Sequence, residues 1–439
     1  MYENYIAVIQ AGGKGTRMIE LTHDEIPKPM LMLNGKPMIQ WQVEDIKKYG
    51  IKEFVFIIGH LGENVKKYFG DGSEFGIHIS YIEETEPLGS AGALFYLKNK
   101  GIKNFLLIFG DVMFQLAWDK MISFHEQHDG TATLLVHPNA HPYDSDLLIM
   151  DSRNCVMGID SKHNLRNYWY NNCVNAGIYI LSGEILDEIS ELQKCDLEKD
   201  ILAPMMPLKK VYGYRTTEYV KDAGTPKRFR SVLHEQQQGI WDVKCLDKMQ
   251  KAVFIDRDGT INVYKGLISR EEDLELEECA VEAIKKLNAS GYLAIIITNQ
   301  PVVARGLCDL EDVKLIHKKM QVLLGEQGAF LDDIAFCPHH PDKGYPEENP
   351  LYKIKCNCRK PAIGMIEEMA RKYNIDLKKS YFVGDTTRDI QTGKNAGTKT
   401  ILVRTGQGGA DERYNVKSDF EAENLLAAVE FILERGSEK

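Results

Sequence analysis

Short apolar runs that end in Gly or Asp recur along this chain, alternating with segments whose apolar residues are spaced for one face of a helix. "YIAVIQAGGKG", "EFVFIIGH", "NFLLIFGDVMF" and "GIYILSG" are of the first kind; "PMIQWQVEDIKKYG" and "GSAGALFYLKNKG" are of the second. Uninterrupted apolar strands suit a parallel sheet buried on both faces, and their alternation with helices predicts an α/β fold with ligands outside the strands' carboxyl ends. The pattern restarts after "RFRSVLHEQQQGIWDVKCLDKMQ", a polar helix and connector. "KAVFIDRDGT", "YLAIIITNQ", "SYFVGDTTRD" and "TKTILVRTG" are then the strands, and "DFEAENLLAAVEFILERG" predicts a closing amphipathic helix. The expected organisation is two three-layer α/β/α domains, residues 1–230 and 251–439, with a linker at 231–250. Their loop chemistry differs, so they are not an internal repeat.

The length of 439 residues fits this division, since single cores stop growing well below it. A net charge of −10 opposes non-specific attraction to nucleic acid or anionic lipid, so an anionic ligand must be held by a local cluster of donors. Small phosphorylated ligands are expected, with no nucleic acid and no membrane as partners; a homo-oligomer stays open. No stretch offers the run of about 18 apolar residues a membrane helix needs. "MYENYIAVIQAGG" lacks the basic and apolar regions of a secretion signal, so a cytoplasmic location is expected. Six cysteines are scattered, but Cys337, Cys356 and Cys358 cluster with His339 and His340, which in a reducing compartment points to metal more than to disulfides.

The first loop, Ala11, Gly12, Gly13, Lys14, Gly15, Thr16 and Arg17, lacks the Lys-Ser/Thr ending of a P-loop. Its glycines still let backbone N–H groups approach an anion, and Lys14 and Arg17 can neutralise phosphate. Lys28 follows between two prolines. From "QAGGKGTRM", "EIPKPMLMLNGKPMI", "EPLGSAGAL", "FGDV", "NAGIYIL", "LEKDIL" and "KDAGTP", in that order, residues 5 to 230 resemble the sugar-1-phosphate nucleotidyltransferases. The resemblance implies attack of a sugar phosphate on the α-phosphorus of a nucleoside triphosphate. It places magnesium on Asp111 and Asp222, the triphosphate on the Gly12–Arg17 loop, catalytic roles on Arg17 and Lys28, substrate phosphate on Lys28 and Lys199, and the sugar against Asn175 and Gly177. Glu84 or Glu86 can accept both N–H groups of guanine's Watson–Crick edge, and "EPLGSAG", ending the nucleotide set at Gly89, resembles the guanylyltransferases. GTP is therefore expected.

In the second half, "FIDRDGT" puts Asp256 and Asp258 two residues apart at a strand's end, a spacing that suits a nucleophile and a general acid/base sharing one metal ion. With "IIITNQ", "CRKP" and "FVGDTTRD", residues 251 to 408 resemble the haloacid dehalogenase-like phosphatases. That implies an aspartyl-phosphate on Asp256, proton transfer by Asp258, phosphate contacts from Thr298, Asn299, Arg305, Arg359 and Lys360, and magnesium on Asp256, Asp258 and Asp385, with Asp389 a second-layer partner. Cys337, His339, Cys356 and Cys358 supply four ligands, enough for a closed structural zinc site, with His340 a minor alternative. Such a clip would aim Arg359 and Lys360 at the phosphate.

The loop resembles those of heptose-1,7-bisphosphate 7-phosphatases and histidinol phosphatases, and "DRDGTIN", "ARG" and "CPHHP" favour the heptose family. One departure is "PVV" at 301–303, where a smaller turn is expected. The resemblances together imply two Rossmann-like domains, the first GT-A-like and the second without a large cap. They imply removal of the 7-phosphate followed by guanylyl transfer to heptose 1-phosphate, with Mg2+ in both domains and Zn2+ in the second. Another sugar such as mannose 1-phosphate, a histidinol-phosphate-type phosphatase, or a regulatory nucleotide-sugar-binding protein stay open as alternatives.

Overall fold

The computed structural model describes residues 2–342, 344 and 346–437. It divides into two compact units. The first comprises residues 1–137, 146–161 and 174–245; the second comprises 138–145, 162–173 and 246–439.

The centre of the first unit is a sheet whose parallel strands run in the order His78–Glu83, Glu53–Ile58, Tyr5–Gln10, Asn104–Phe109, with Val174–Ser182 antiparallel beside the last. Tyr5, Ala7, Ile9, Phe54, Phe56, Leu106 and Ile108 are buried, which is why these runs read as unbroken apolar stretches. "PMIQWQVEDIKKYG" yields the helix Met38–Lys47. "GSAGALFYLKNKG" yields only a short 3₁₀ helix, Gly92–Leu97, and a Cβ at Gly92 would lie 2.2 Å from the Gln193 carbonyl oxygen. A two-stranded ribbon, Val112–Gln115 with Tyr219–Asp222, pairs Asp222 with Val112 and so sets it beside Asp111. Beyond it the helix Pro226–Gln237 starts at Thr225, whose side chain accepts from the Arg228 amide. The stretch 231–250 is packed in its first part: Val232 and Trp241 are buried with Met18, Leu33 and Phe229.

The second unit has six parallel strands, in the order Asp333–Cys337, Tyr292–Asn299, Lys251–Ile255, Tyr381–Gly384, Lys399–Val403, Phe420–Ala422. The last of these comes from the front of the segment expected to be wholly helical; the helix itself is Leu425–Ser437. Asp256, Thr298, Cys337 and Asp385 all fall at carboxyl ends of neighbouring strands. No helix among the described residues is long and apolar enough to cross a membrane.

Candidate active sites

In the first unit the loop after Tyr5–Gln10 is tied at its base, where the Ala11 amide donates to the Ile57 carbonyl at 2.7 Å. Gly13, Lys14, Thr16 and Arg17 beyond it are exposed, leaving the loop open to a ligand. A Cβ at Gly12 would lie 2.6 Å from a Glu84 carboxylate oxygen. Glu84 accepts from the Leu88 amide at 3.2 Å, and burial raises its proton affinity. The structure thus brings Glu84 against the glycine loop, while Glu86 is exposed. Gly89 lies close to the Cys195 carbonyl, joining the 84–91 segment to the 195–198 segment.

Lys28 forms an ion pair with Asp111, and Asp222 accepts from the Arg228 guanidinium and the Gly224 amide. Arg17, Lys28 and Asp222 converge on Gly224: a Cβ there would lie 2.6 Å from Asp222 Oδ1, 3.0 Å from Lys28 Nζ and 3.4 Å from an Arg17 terminal nitrogen. Two carboxylates and three cations therefore share one crevice, which can hold a hard divalent ion and a polyphosphate together. Gly177 packs on Phe109 and Val112, and Asn175 lies two residues before it. Lys199 is not brought to this cluster. It is exposed, its amide is held by the Asp196 side chain, and the residue of its segment that reaches Asn175 is Glu198, at 3.1 Å. Neither Glu198 nor Arg228 was singled out from the sequence.

In the second unit three buried carboxylates, Asp256, Asp385 and Asp389, bring oxygens within 4.8 Å of one another. Lys360, itself buried, sits 2.8 Å from Asp256 and 2.6 Å from Asp389. Asp389 is fixed twice. Its Oδ2 accepts from the Thr386 amide at 3.2 Å, capping the helix Thr387–Ala396, and its Oδ1 takes the Lys360 ammonium. Burial, followed by the charge of Asp389, raises Asp256 to about 7 and Asp385 to about 8; for Asp389 the opposite pull of Lys360 and Arg388 outweighs burial and lowers it.

Lys360, with Arg388 acting on Asp389, is set against three buried carboxylates, and Asp385 Oδ1 is buried without a hydrogen-bond partner among the described residues. Asp385 Oδ2 accepts from the Gln407 amide and is approached by Gly259 and Gly406, where a Cβ would come within 2.4 and 2.2 Å of it. An orphaned oxygen and a cradle that only glycine can line both fit a magnesium ion.

Asp258 is not in this cluster. Its carboxylate is held by the fully buried Arg257, by Asn262 and by Gln300, and Gln300 also donates to Thr298 Oγ1 at 2.9 Å. The buried carboxylate trio is completed by Asp389 and not by Asp258. Asn299 is a positioning group: its amide side chain exchanges two hydrogen bonds with the Lys360 backbone. Arg305 is half-buried, and its positive charge, like that of Arg388, is felt at Arg359. The "PVV" departure has a local explanation, since Val302 and Val303 are buried against Val313 and pin the loop from below.

Cys337 Sγ, Cys356 Sγ, Cys358 Sγ and His339 Nδ1 form a compact cluster, with separations of 3.2 to 3.6 Å among the pairs in contact. A tetrahedron of sulfurs about 2.3 Å from a central zinc has edges of about 3.8 Å, so the set is close to ligand geometry. His340 is turned away, its Nδ1 accepting from the Asp342 amide. Arg359 donates to the His339 carbonyl at 3.0 Å, tying the cluster to the cations beside Asp256. Lys343 and Tyr345 of this loop lie outside the described residues.

Comparison with known proteins bears on both sites. The nucleotidyl transferase family matches residues 6–239, and the HAD-hydrolase-like family matches residues 357–428. A D-glycero-beta-D-manno-heptose-1,7-bisphosphate 7-phosphatase of Haemophilus ducreyi is 38% identical over 185 residues, covering 42% of this chain and 98% of that protein. Among solved structures, D,D-heptose 1,7-bisphosphate phosphatase from B. bronchiseptica, complexed with magnesium and phosphate, is 32% identical over 42% of this chain and 99% of its own, with a TM-score of 0.38. HddC from Yersinia pseudotuberculosis, complexed with GMP-PN, is 24% identical over 53% of this chain and 99% of its own, with a TM-score of 0.45. Over residues 6–239 the chain belongs to the nucleotidyl transferase family, and its C-terminal part belongs to the heptose-1,7-bisphosphate 7-phosphatases.

Proposed function

We propose that the chain performs two successive steps on one sugar: removal of the 7-phosphate from D-glycero-D-manno-heptose 1,7-bisphosphate, then transfer of GMP from GTP to the resulting heptose 1-phosphate. The products are phosphate, GDP-heptose and pyrophosphate. The observation that supports this reading is the fusion itself. One chain joins a nucleotidyl transferase to a part that spans 98% of a heptose bisphosphate phosphatase, so the product of one half is the acceptor of the other.

In the phosphatase half Asp256 attacks phosphorus, and the bond to the sugar's O7 breaks. Asp258, held outside the carboxylate cluster, gives the leaving alkoxide its proton and takes one from the water that then opens the aspartyl-phosphate. Lys360, Thr298, Arg305 and Arg359 hold the phosphate charge. In the transferase half a phosphate oxygen of heptose 1-phosphate attacks the α-phosphorus of GTP and pyrophosphate leaves. Arg17 and Lys28 offset the growing charge, and Glu84 reads the base. Magnesium held by Asp111 with Asp222, and by Asp256 with Asp385, would neutralise phosphate charge in each half. Zinc on Cys337, His339, Cys356 and Cys358 would be structural, since four protein ligands close the site. Cytoplasmic GTP is the donor in this reading.

Phosphate and pyrophosphate release, measured separately over a panel of sugar bisphosphates, sugar 1-phosphates and nucleoside triphosphates, tests it. Heptose 1,7-bisphosphate should release phosphate, and heptose 1-phosphate with GTP should release pyrophosphate. Turnover of mannose 1-phosphate but not heptose 1-phosphate would remove the heptose assignment, and equal use of UTP would remove guanine.

A further inference from the structure

In the reading above Asp256 attacks phosphorus while Asp258, two residues on, moves protons, so the two carboxylates must be held in different places. The residue between them touches both. The Arg257 amide donates to Asp256 Oδ1 at 2.7 Å, and its side chain turns to Asp258: Nε donates to Oδ1 at 3.1 Å, and Nη2 donates to Oδ1 and Oδ2, each at 2.9 Å. This guanidinium is fully buried. It has no neutral form to fall back on, so a carboxylate beside it is required, and Asp258 is that carboxylate. Asn262 Nδ2 adds a bond to Oδ1 at 3.2 Å, and Gln300 Nε2 one to Oδ2 at 2.9 Å. Because Gln300 uses its second N–H on Thr298 Oγ1, the Asp258 carboxylate and the hydroxyl assigned to the phosphate are tied to one amide. The Asp258 side chain is still 19% exposed, and so accessible.

What fixes Arg257 comes from another element. On the helix Leu310–Glu326, His317 is buried, set edge-on against Phe336, with its Nε2 3.4 Å from Arg257 Nη1. A guanidinium offers only donors, so Nε2 must accept, and the ring is neutral with its proton on Nδ1. Burial, and then the charge of Arg257, hold the imidazole in that neutral form. A rotation of the guanidinium away from Asp258 would therefore break its bond to His317 as well.

We propose that Arg257, seated by His317, is a positioning residue that orients Asp258 for proton transfer to the leaving oxygen; this rests on the proton-donor role given to Asp258 above. As the bond from phosphorus to the sugar's O7 breaks, the Asp258 proton passes to O7, and the carboxylate left behind is received by the Arg257 fork. The water that later opens the aspartyl-phosphate returns a proton to Asp258. His317 touches no reacting atom and acts only through Arg257.

The test turns on the leaving group. Heptose 1,7-bisphosphate expels an alkoxide that needs a proton, whereas p-nitrophenyl phosphate expels a phenolate that does not, and kcat/KM reports the step in which either leaves. In the full chain, Asp258→Asn should lower the ratio of kcat/KM for the heptose bisphosphate to that for p-nitrophenyl phosphate by about a hundredfold. His317→Leu, which keeps Asp258 and removes only the acceptor, should lower the same ratio by about tenfold. His317→Gln, whose amide oxygen can accept from Nη1, should restore most of it. Should His317→Leu fold poorly, Arg257→Lys keeps the buried charge but lacks the fork, and should lower the ratio by a similar factor. A ratio that Asp258→Asn moves and neither His317→Leu nor Arg257→Lys moves, as when both substrates lose equally, overturns the proposal and leaves the role of Asp258 standing. A ratio unmoved by Asp258→Asn withdraws the proton-donor assignment, and this inference with it. If heptose 1,7-bisphosphate is not turned over, the sugar assignment fails, and the best alkyl phosphate found decides the proposal against p-nitrophenyl phosphate in the same variants.

Discussion

The two sites hold phosphate chemistry with different charge arrangements. In the first unit each aspartate already has its own cation, Lys28 for Asp111 and Arg228 for Asp222, and the crevice is partly open. In the second, Lys360 pairs with Asp256 and Asp389, Asp385 has no ion pair among the described residues, and all three carboxylates are buried. Exposed ion pairs are worth little and rearrange readily when a ligand arrives, whereas uncompensated buried charge is costly. The aspartates of the first site are thus matched by cations at rest, while Asp385 in the second, buried with an oxygen that lacks a partner among the described residues, fits a bound cation.

The largest effect should come from separating the two chemistries. Asp256→Asn is expected to cut phosphate release by at least about a thousandfold, since the nucleophile is lost, and to leave pyrophosphate release from supplied heptose 1-phosphate largely intact. Asp111→Ala should do the reverse. Loss of both activities in either folded variant would contradict two self-sufficient sites.

Next in size is the cysteine cluster. Cys358→Ser removes one of the four clustered side chains, directly before Arg359 and Lys360, so on the zinc reading proposed above it should lower tightly bound zinc and reduce phosphatase activity by about a hundredfold, as misplacing phosphate-binding groups does. The transferase should be spared. Metal analysis of the unaltered protein should give about one zinc per chain. A zinc-free protein with full phosphatase activity would show the cysteines to be bystanders.

How much of this was legible in the sequence differs between the two sites in an instructive way. The strands were readable because parallel strands buried on both faces leave continuous apolar runs, and the ends of those runs mark the crevices. Asp256, Lys360 and the Cys/His set were readable because their spacing is local. The role of Asp389 was half-written, since Thr386 followed three residues later by Asp is a capping pattern, but that its other oxygen takes Lys360 depends on strands far apart in the chain. Glu198 lies within "LEKDIL", but nothing local marks it over Lys199, and nothing local marks Arg228 within its run of basic residues. Only the meeting of Val174–Ser182 with the 195–198 segment, and of the Tyr219–Asp222 ribbon with the helix after it, decides which residue faces inward. The strand Phe420–Ala422 was hidden because three residues are too few to show a period of two.

A smaller effect concerns the base. Glu84 is held by Gly12 and the Leu88 amide, so its position is set before a nucleotide binds. A base that cannot donate to it leaves a desolvated carboxylate unmatched, at about 1–3 kcal/mol, so GTP should exceed ATP, UTP, CTP and dTTP in kcat/KM by about tenfold to a hundredfold. Glu84→Gln should narrow that preference. A preference left unchanged by the substitution would move base recognition elsewhere.

The smallest effect sharpens the contrast between the sites most directly, because it measures stored charge and not turnover. Asp256 and Asp385 have their proton affinities raised, to about 7 and about 8, by burial and then by the charge of Asp389. A carboxyl raised in this way is still neutral in the folded protein at a pH where its unfolded counterpart has ionised, so stability falls as pH rises from the ordinary carboxylate range of about 4 toward 8. Asp389, lowered, works in the other direction, but its contribution is lost only as pH falls below that range. Magnesium should offset the cost of ionising Asp256 and Asp385, so its stabilising effect should grow with pH. In thermal unfolding of the full chain, saturating magnesium should raise the transition of the second unit by several degrees more at pH 8 than at pH 5. In Asp385→Asn that difference should shrink. Because Asp111 and Asp222 already have their cations, the same variant series at those positions should leave the magnesium dependence of the second transition unchanged. A magnesium shift independent of pH would mean that the buried triad is not where the ion binds.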